Sequence, residues 1–312
     1  MFFSILFFFI GFYILIKGAN FLIDGASSLS RRFNVSPFVI GLVIVGIGTS
    51  IPEFAISTIA NIAGKNEIAL GTIIGSNTFN ILFILGLTAL FFPLTMKQEW
   101  VSRDMVWNVI AVLGAILLVI PFNGGMISRP EGILMLLLFF YWLYQTVEKS
   151  DGQEEGRFQI KEFAFPIAAG LIIAGFAGIF LGGKWVVDGA TAIARELGMG
   201  EALIGLTIVG IGTSLPELVA SFAAARKKQT GIVVGNIIGS NIFDFLMILG
   251  INAVIKPIKF PFHLSFDIII TLITTLLLYQ AMFIGEKYVF KRWQGLIFVS
   301  LYILYIIYIM SA

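Results

Sequence analysis

Two stretches of the chain are near-copies of each other, and both place a carboxylate inside an apolar run. The first reads GLVIVGIGTSIPEFAIS over 41–57, followed by GTIIGSNTFNILFILG over 71–86. The second reads GLTIVGIGTSLPELVAS over 205–221, followed by GNIIGSNIFDFLMILG over 235–250. Glu53 and Glu217 hold the same place in the two copies, each directly behind a proline. A charge at bilayer depth is expensive and marks a functional site. Its duplication predicts a transporter built of two halves around a central ion site. The register holds without a gap at a constant offset of 164 residues, as between Glu53 and Glu217. It aligns Thr49, Ser50, Pro52, Gly75, Ser76, Asn77 and Asn80 with Thr213, Ser214, Pro216, Gly239, Ser240, Asn241 and Asp244. It also pairs Asp24-Gly25-Ala26 with Asp188-Gly189-Ala190, and Arg31 with Arg195.

The rest of the chain points to a membrane. Apolar residues make up 58% of it and charged residues 12%, with a mean hydropathy of +0.99. Apolar runs of spanning length recur from end to end. They predict ten spans, centred near Ile10, Ile47, Phe79, Ala111, Leu137, Ile173, Val209, Phe243, Leu272 and Tyr302. The first, MFFSILFFFIGFYILI, lacks the basic leader and cleavage site of a signal peptide and reads as a retained helix. The one hydrophilic segment, EKSDGQEEGRFQIKE over 148–162, reads as a solvated linker. It separates a first five-helix repeat over 1–147 from a second over 163–312. Five is odd, so the second repeat must cross in the opposite sense. The predicted fold is therefore an all-α integral membrane protein of ten transmembrane helices in two inverted-topology five-helix repeats.

Ten spans put both termini on one side with Lys65, Arg129, Lys184, Arg195, Lys256 and Lys259. The opposite side collects more cations: Arg31, Arg32, Lys97, Arg103, Lys149, Arg157, Lys161, Arg226, Lys227, Lys228, Lys287, Lys291 and Arg292. The positive-inside rule makes that side cytoplasmic, which leaves both termini extracellular at the cell membrane. The chain has no cysteine, which removes disulfides, thiolate metal sites and thiol catalysis. No phosphate-binding loop, catalytic triad or nucleic-acid patch appears, so the reading is neither an enzyme nor a nucleic-acid partner, and no cofactor is implied. The single histidine, His263, follows Pro261 at a predicted span boundary and reads as interfacial, as do most of the five tryptophans.

The chemistry lies in GIGTSIPE over 46–53 and its copy. A proline inside a helix lacks an N–H and its ring displaces the carbonyl four residues earlier, here that of Gly48. A freed carbonyl at membrane depth is tolerated where it lines a cavity or meets a ligand. Thr49 and Glu53 are four apart and share a helical face, with Ser50 adjacent. Carboxylate, hydroxyl and backbone oxygens together suit hard cations such as Ca²⁺ and Na⁺. Thr213, Ser214, Pro216 and Glu217 repeat the set. In the GSN segments, Ser76 and Asn80 are four apart, as are Ser240 and Asp244. Glycines at 71, 75, 235 and 239 would let those helices pack closely. Glu53, Glu217, Asp244, Asn80 and the hydroxyls would then surround one Ca²⁺ or several Na⁺. A site that accepts either ion and is costly to leave empty has the logic of an exchanger. Asp24 and Asp188 read as interfacial caps or as partners of Arg31 and Arg195.

With those residues in view, the chain resembles the Ca²⁺:cation antiporter superfamily. The paired motifs GIGTSIPE…GSNTFN and GIGTSLPE…GSNIFD are similar to the α-repeats of its sodium/calcium exchangers, particularly prokaryotic ones. The resemblance spans essentially the whole chain. It implies electrogenic Na⁺/Ca²⁺ antiport by alternating access, with the first and sixth helices sliding as a gating unit. It implies Glu53 and Glu217 as Ca²⁺ ligands, Thr49, Ser50, Ser76, Thr213, Ser214 and Ser240 in the Na⁺ and Ca²⁺ shell, and Asn80 and Asp244 between them. It adds the backbone carbonyls of Gly46 and Gly210. Asp244 is shared with the potassium-dependent branch, so K⁺-dependent exchange is one alternative. H⁺/Ca²⁺ exchange, a cation channel and a non-transporting scaffold are the others. The linker has no room for a regulatory domain of the kind animal exchangers carry.

Overall fold

The computed structural model describes residues 2–119, 125–148, 162–198 and 210–311. Among them, eight helices are long and apolar enough to cross a membrane, and a bent pair makes a ninth span. In chain order these are α1 (Phe2–Arg32), the pair α2 (Pro37–Thr49) and α3 (Ile51–Ile62), α4 (Asn66–Phe91), α5 (Trp100–Leu118), α6 (Arg129–Glu148) and α7 (Phe165–Glu196). The short helix α8 (Leu215–Arg226), which is not one of them, comes next, and the spans α9 (Thr230–Ile255), α10 (Ser265–Ala281) and α11 (Arg292–Ser311) follow. Nine predicted spans are present. The tenth, centred near Val209, falls outside the described residues, as does the linker apart from Glu148 and Glu162.

Two antiparallel ribbons of two-residue strands, which the sequence reading did not foresee, interrupt the helices. Leu94–Thr95 (β1) pairs with Val289–Phe290 (β4), and Met126–Ile127 (β2) pairs with Ile258–Lys259 (β3). The 164-residue offset maps β1 onto β3.

Two helices are the most buried. In α4 72% of the apolar window is buried and in α9 94%, against 22–39% in the other spans. These two are repeat equivalents, and both carry GSN. The remaining helices turn large apolar residues such as Phe9, Leu137, Ile173 and Leu304 outward, a surface suited to hydrocarbon rather than to water.

The chain forms two compact units, and neither is a sequence half. One takes Met1–Thr49 with Asp151–Asn236, the other Ser50–Ser150 with Ile237–Ala312. The first unit is organised by α1 and α7, which run antiparallel in backbone contact. A Cβ on Gly11 would meet Gly182 O at 2.9 Å, one on Gly18 would meet Gly175 O at 2.8 Å, and one on Gly25 would meet Ala168 O at 2.7 Å. From the other side, a Cβ on Gly189 would meet Ser4 O at 2.9 Å. Glycine therefore recurs every seven residues on both helices, because seven residues return close to the same face. The offset maps Gly11, Gly18 and Gly25 onto Gly175, Gly182 and Gly189, so the seam is formed by equivalent residues of the two repeats. At its edge Lys227, just past α8, binds Asp24 at 2.7 Å and donates to Asn20 O at 3.0 Å. Arg31 binds Glu162 at 3.2 Å. The acid–base pairing of Asp24 with Arg31 offered by the sequence is thus replaced by pairs across helices.

In the second unit the glycine ending each GSN segment meets another helix. Gly86 lies against Gly295 of α11, and Gly250 lies against Gly132 of α6. Of the GSN glycines expected to pack closely, Gly235 does so in the first unit, where a Cβ would meet Phe38 O. Gly71 and Gly75 do not: nothing stands within 4 Å of a Cβ on either, and Gly75 is exposed. The equivalent helices α3 and α8 also have different neighbours. Asn252 of α9 holds α3, accepting from Thr58 Oγ1 at 2.8 Å and donating to Ser57 Oγ at 3.1 Å. Asn61 Nδ2 of α3 donates to Asn252 O at 2.8 Å and Lys256 O at 3.1 Å, while Lys256 Nζ donates to Ile62 O at 3.1 Å. Each helix thus receives a side-chain N–H from the other at carbonyls near its C-terminal end. Helix α8 packs instead against α1.

Candidate functional site

The proline-induced break forms where the sequence places it. Helix α2 ends at Thr49, α3 begins at Ile51, and the two are bent by 45°. Ser50 sits at the break with φ −80° and ψ 5°, and Ser214 sits at the equivalent break with φ −94° and ψ 8°. Neither hydroxyl caps the helix that follows. Glu53 and Glu217 lie in the first turn of α3 and of α8, each 1% exposed. A carboxylate there faces the positive end of its helix, which offsets part of the cost of burying its charge.

A π-helical segment precedes or follows these positions. Gly41–Gly46 is π-helical immediately before the break, and Asn80–Leu85 and Phe243–Ile248 are π-helical in α4 and α9. The last two are repeat equivalents that begin at or beside Asn80 and Asp244. A π turn widens the helix and displaces its backbone hydrogen bonds, a device concentrated at functional sites.

In the second unit, the two GSN segments interlock. Asp244 Oδ2 accepts from Ser76 Oγ at 3.2 Å and from Asn77 Nδ2 at 2.9 Å. Asn80 Nδ2 donates to Asn241 Oδ1 at 3.1 Å. The offset carries Asn77 to 241 and Asp244 to 80, so the two contacts are one contact made twice, in the reciprocal manner of a twofold interface. Ser76 is 7% exposed, and Asn77, Asn80, Ser240, Asn241 and Asp244 are at most 1% exposed. Asn77 Oδ1 and Asn80 Oδ1 are buried and accept no hydrogen bond. Buried oxygens without a donor are costly unless a positive charge meets them.

In the first unit, Thr49 Oγ1 lies 3.2 Å from both Gly46 O and Asn236 Oδ1. Asn236 Nδ2 donates to Ser221 Oγ at 2.8 Å and to Glu217 O at 3.3 Å. Thr49, Ser214 and Glu217 are buried, whereas Thr213 is half-buried. Gly210 begins the short helical turn Gly210–Gly212 that precedes Ser214. Among the described residues no three acidic or histidine side chains stand together as a metal-holding group.

Asn77, Asn241, Asn236 and Ser221 escaped assignment from sequence. Asn77 and Asn241 carried a signal, since both stand at matched positions of GSN. Asn236 and Asn252 carried none: their repeat equivalents are Thr72 and Thr88. Away from these residues, Asp104 is fully buried on α5, accepting from Trp142 Nε1 at 3.0 Å, Thr146 Oγ1 at 2.9 Å and Arg103 Nη2 at 2.9 Å. Every one of these donors is accounted for, which marks it as a structural tie between α5 and α6.

Comparison with known proteins bears on the whole chain. The sodium/calcium exchanger protein family matches residues 3–147 and 167–311. The sodium/calcium exchanger MaX1 of Methanosarcina acetivorans is 30% identical over 339 residues, covering 96% of each chain. The inner membrane protein YrbG of Escherichia coli is 38% identical over 262 residues, covering 80% of this chain and 78% of that one. A solved structure of the sodium-calcium exchanger NCX_Mj, soaked with zero Na⁺ and Ca²⁺, aligns with a TM-score of 0.83 at 32% identity, covering 96% of this chain and 97% of that one. Both duplicated halves fall inside the family match and the MaX1 match runs nearly full length, so the chain belongs to the sodium/calcium exchanger protein family.

Proposed function

We propose that the chain is a secondary antiporter that exchanges Na⁺ for Ca²⁺ across the cell membrane, with net movement of charge, by alternating access. The observation that carries this is the pair of buried GSN segments on α4 and α9, which gather a carboxylate, hydroxyls and donor-free amide oxygens on the two most buried helices. Oxygen ligands of that kind serve Ca²⁺ and Na⁺. Glu53 and Glu217 supply charge, and Thr49, Ser50, Ser76, Thr213, Ser214, Ser240, Asn80, Asp244 and the carbonyls of Gly46 and Gly210 complete the shell. The same ions are named for the MaX1 and NCX_Mj relatives.

The antiparallel run of the equivalent helices α1 and α7 supports an inverted repeat, and ten spans complete it. Alternating access is supported by α3 and α8, equivalent helices with different neighbours: exchanging their arrangements describes the second access state. The Lys/Arg asymmetry supports a cytoplasmic linker and external termini.

The test is Ca²⁺ uptake into proteoliposomes loaded with Na⁺, Li⁺, K⁺ or no alkali cation. Uptake should require internal Na⁺ and should fall at sub-saturating Ca²⁺ in both Glu53→Gln and Glu217→Gln, which keep size but lose charge. Uptake driven equally by every internal cation, or near wild-type rates in both variants, would sink the reading. A second reading, K⁺-dependent exchange, is favoured by the carboxylate at Asp244. It predicts K⁺ stimulation that vanishes in Asp244→Asn.

A further inference from the structure

Asn77 and Asn241 occupy equivalent places, yet their amides are held differently. Asn77 Nδ2 donates twice, to Ile73 O of its own helix at 2.8 Å and to Asp244 Oδ2 at 2.9 Å. Both protons are committed, so the amide is pinned as a donor and its Oδ1 is left over. Asn241 uses only Oδ1, as acceptor from Asn80, and its Nδ2 is buried without a partner. Inverting the Asn241 amide would therefore sacrifice no other hydrogen bond. After inversion Nδ2 would face position 80, where it can satisfy an acceptor. Both asparagines are fully buried, so neither orientation is solvated by bulk water.

We propose that Asn77 and Asn241 are positioning residues that set which atoms of Asp244 and Asn80 are left for the ion, Asn77 as a fixed donor and Asn241 as a reversible one. The inference rests on the cation-exchange reading for its functional consequence, but not for the hydrogen bonds themselves. Because Asn241 can invert, the site tolerates its negative charge at either position of the reciprocal pair. With aspartate at position 80 and asparagine at position 244, Asn241 would donate to the relocated carboxylate. Asn77 would keep its donor role, since asparagine at position 244 still offers one oxygen. The carboxylate thus exchanges a pinned donor for a reversible one.

The experiment compares Asn77→Leu and Asn241→Leu in two backgrounds of the full chain: wild type, and the swap Asn80→Asp with Asp244→Asn. Two quantities are read: melting temperature of the purified protein, and the KM for Ca²⁺ in Na⁺-driven uptake. A hydrogen bond to a charged group is worth more than one between neutral groups. In wild type, Asn77→Leu should therefore raise KM about tenfold and Asn241→Leu less than about threefold, with melting temperatures in the same order. In the swapped background the order should reverse, because Asn241 now serves the carboxylate. Side chains that only fill space would keep one rank order in both backgrounds, and that result overturns the proposal. A swapped protein that does not fold also overturns the claim that the charge can move. Equal effects of the two leucine variants in wild type overturn the donor assignment. Absence of Na⁺-driven uptake in wild type refutes the exchanger reading alone, since melting temperature still tests the amides.

Discussion

Replacing Gly18 by alanine tests the seam between α1 and α7. A Cβ at Gly18 would lie 2.7 Å from Ile179 N and 2.8 Å from Gly175 O and Gly178 C, all backbone atoms. Ordinary contact begins near 3.4 Å, so the helices must part by about 0.7 Å, and no side chain can rotate to relieve it. A gap of that size forfeits roughly a quarter to a half of each neighbouring dispersion contact. Overpacking of this kind costs about 1–3 kcal/mol. The control is Gly170→Ala on α7 itself, where nothing stands within 4 Å of the new methyl. Both substitutions gain the same helix propensity, roughly 0.5–1 kcal/mol, so their difference isolates the steric term. In detergent, Gly170→Ala should melt at or above wild type. Gly18→Ala should melt several degrees below Gly170→Ala, at about 2–4 °C per kcal/mol. Equal melting temperatures would refute a backbone-contact seam.

Further outcomes follow from single contacts. Asn252→Ala removes the acceptor of Thr58 and the donor to Ser57, and should cost about 2–4 kcal/mol in thermal or denaturant unfolding. Its repeat equivalent gives the opposite result: Thr88→Val removes a buried hydroxyl that makes no hydrogen bond, and should be neutral or stabilising in the same assay. Asp104→Ala strands Arg103, Trp142 Nε1 and Thr146 together, and should lower stability by about 3–5 kcal/mol, seen as loss of folded protein on size exclusion. With no native cysteine, Gly152→Cys and Ser311→Cys can be labelled singly in intact cells. An impermeant maleimide should reach position 311 only, and the reverse pattern contradicts the orientation.

The membrane class, the duplication and the break at Ser50 were legible in the sequence because each depends on local chemistry. Apolar run length measures a span, proline removes its own N–H, and a repeat keeps register in one dimension. Glu53, Glu217, Asp244 and Asn80 stood out for the same reason, as polar groups where the surroundings forbid them. What the sequence could not determine is which equivalent residues end in the same environment. Gly71 and Gly235 are copies, yet one faces open space and the other the backbone at Phe38. Serines Ser57 and Ser221 are copies, yet one meets Asn252 and the other Asn236. Two identical asparagines in GSN differ in which amide end is engaged. Those differences arise because neighbours are assigned by packing in three dimensions: a repeat specifies what a residue can bond to, and only the tertiary arrangement decides which partner is within reach.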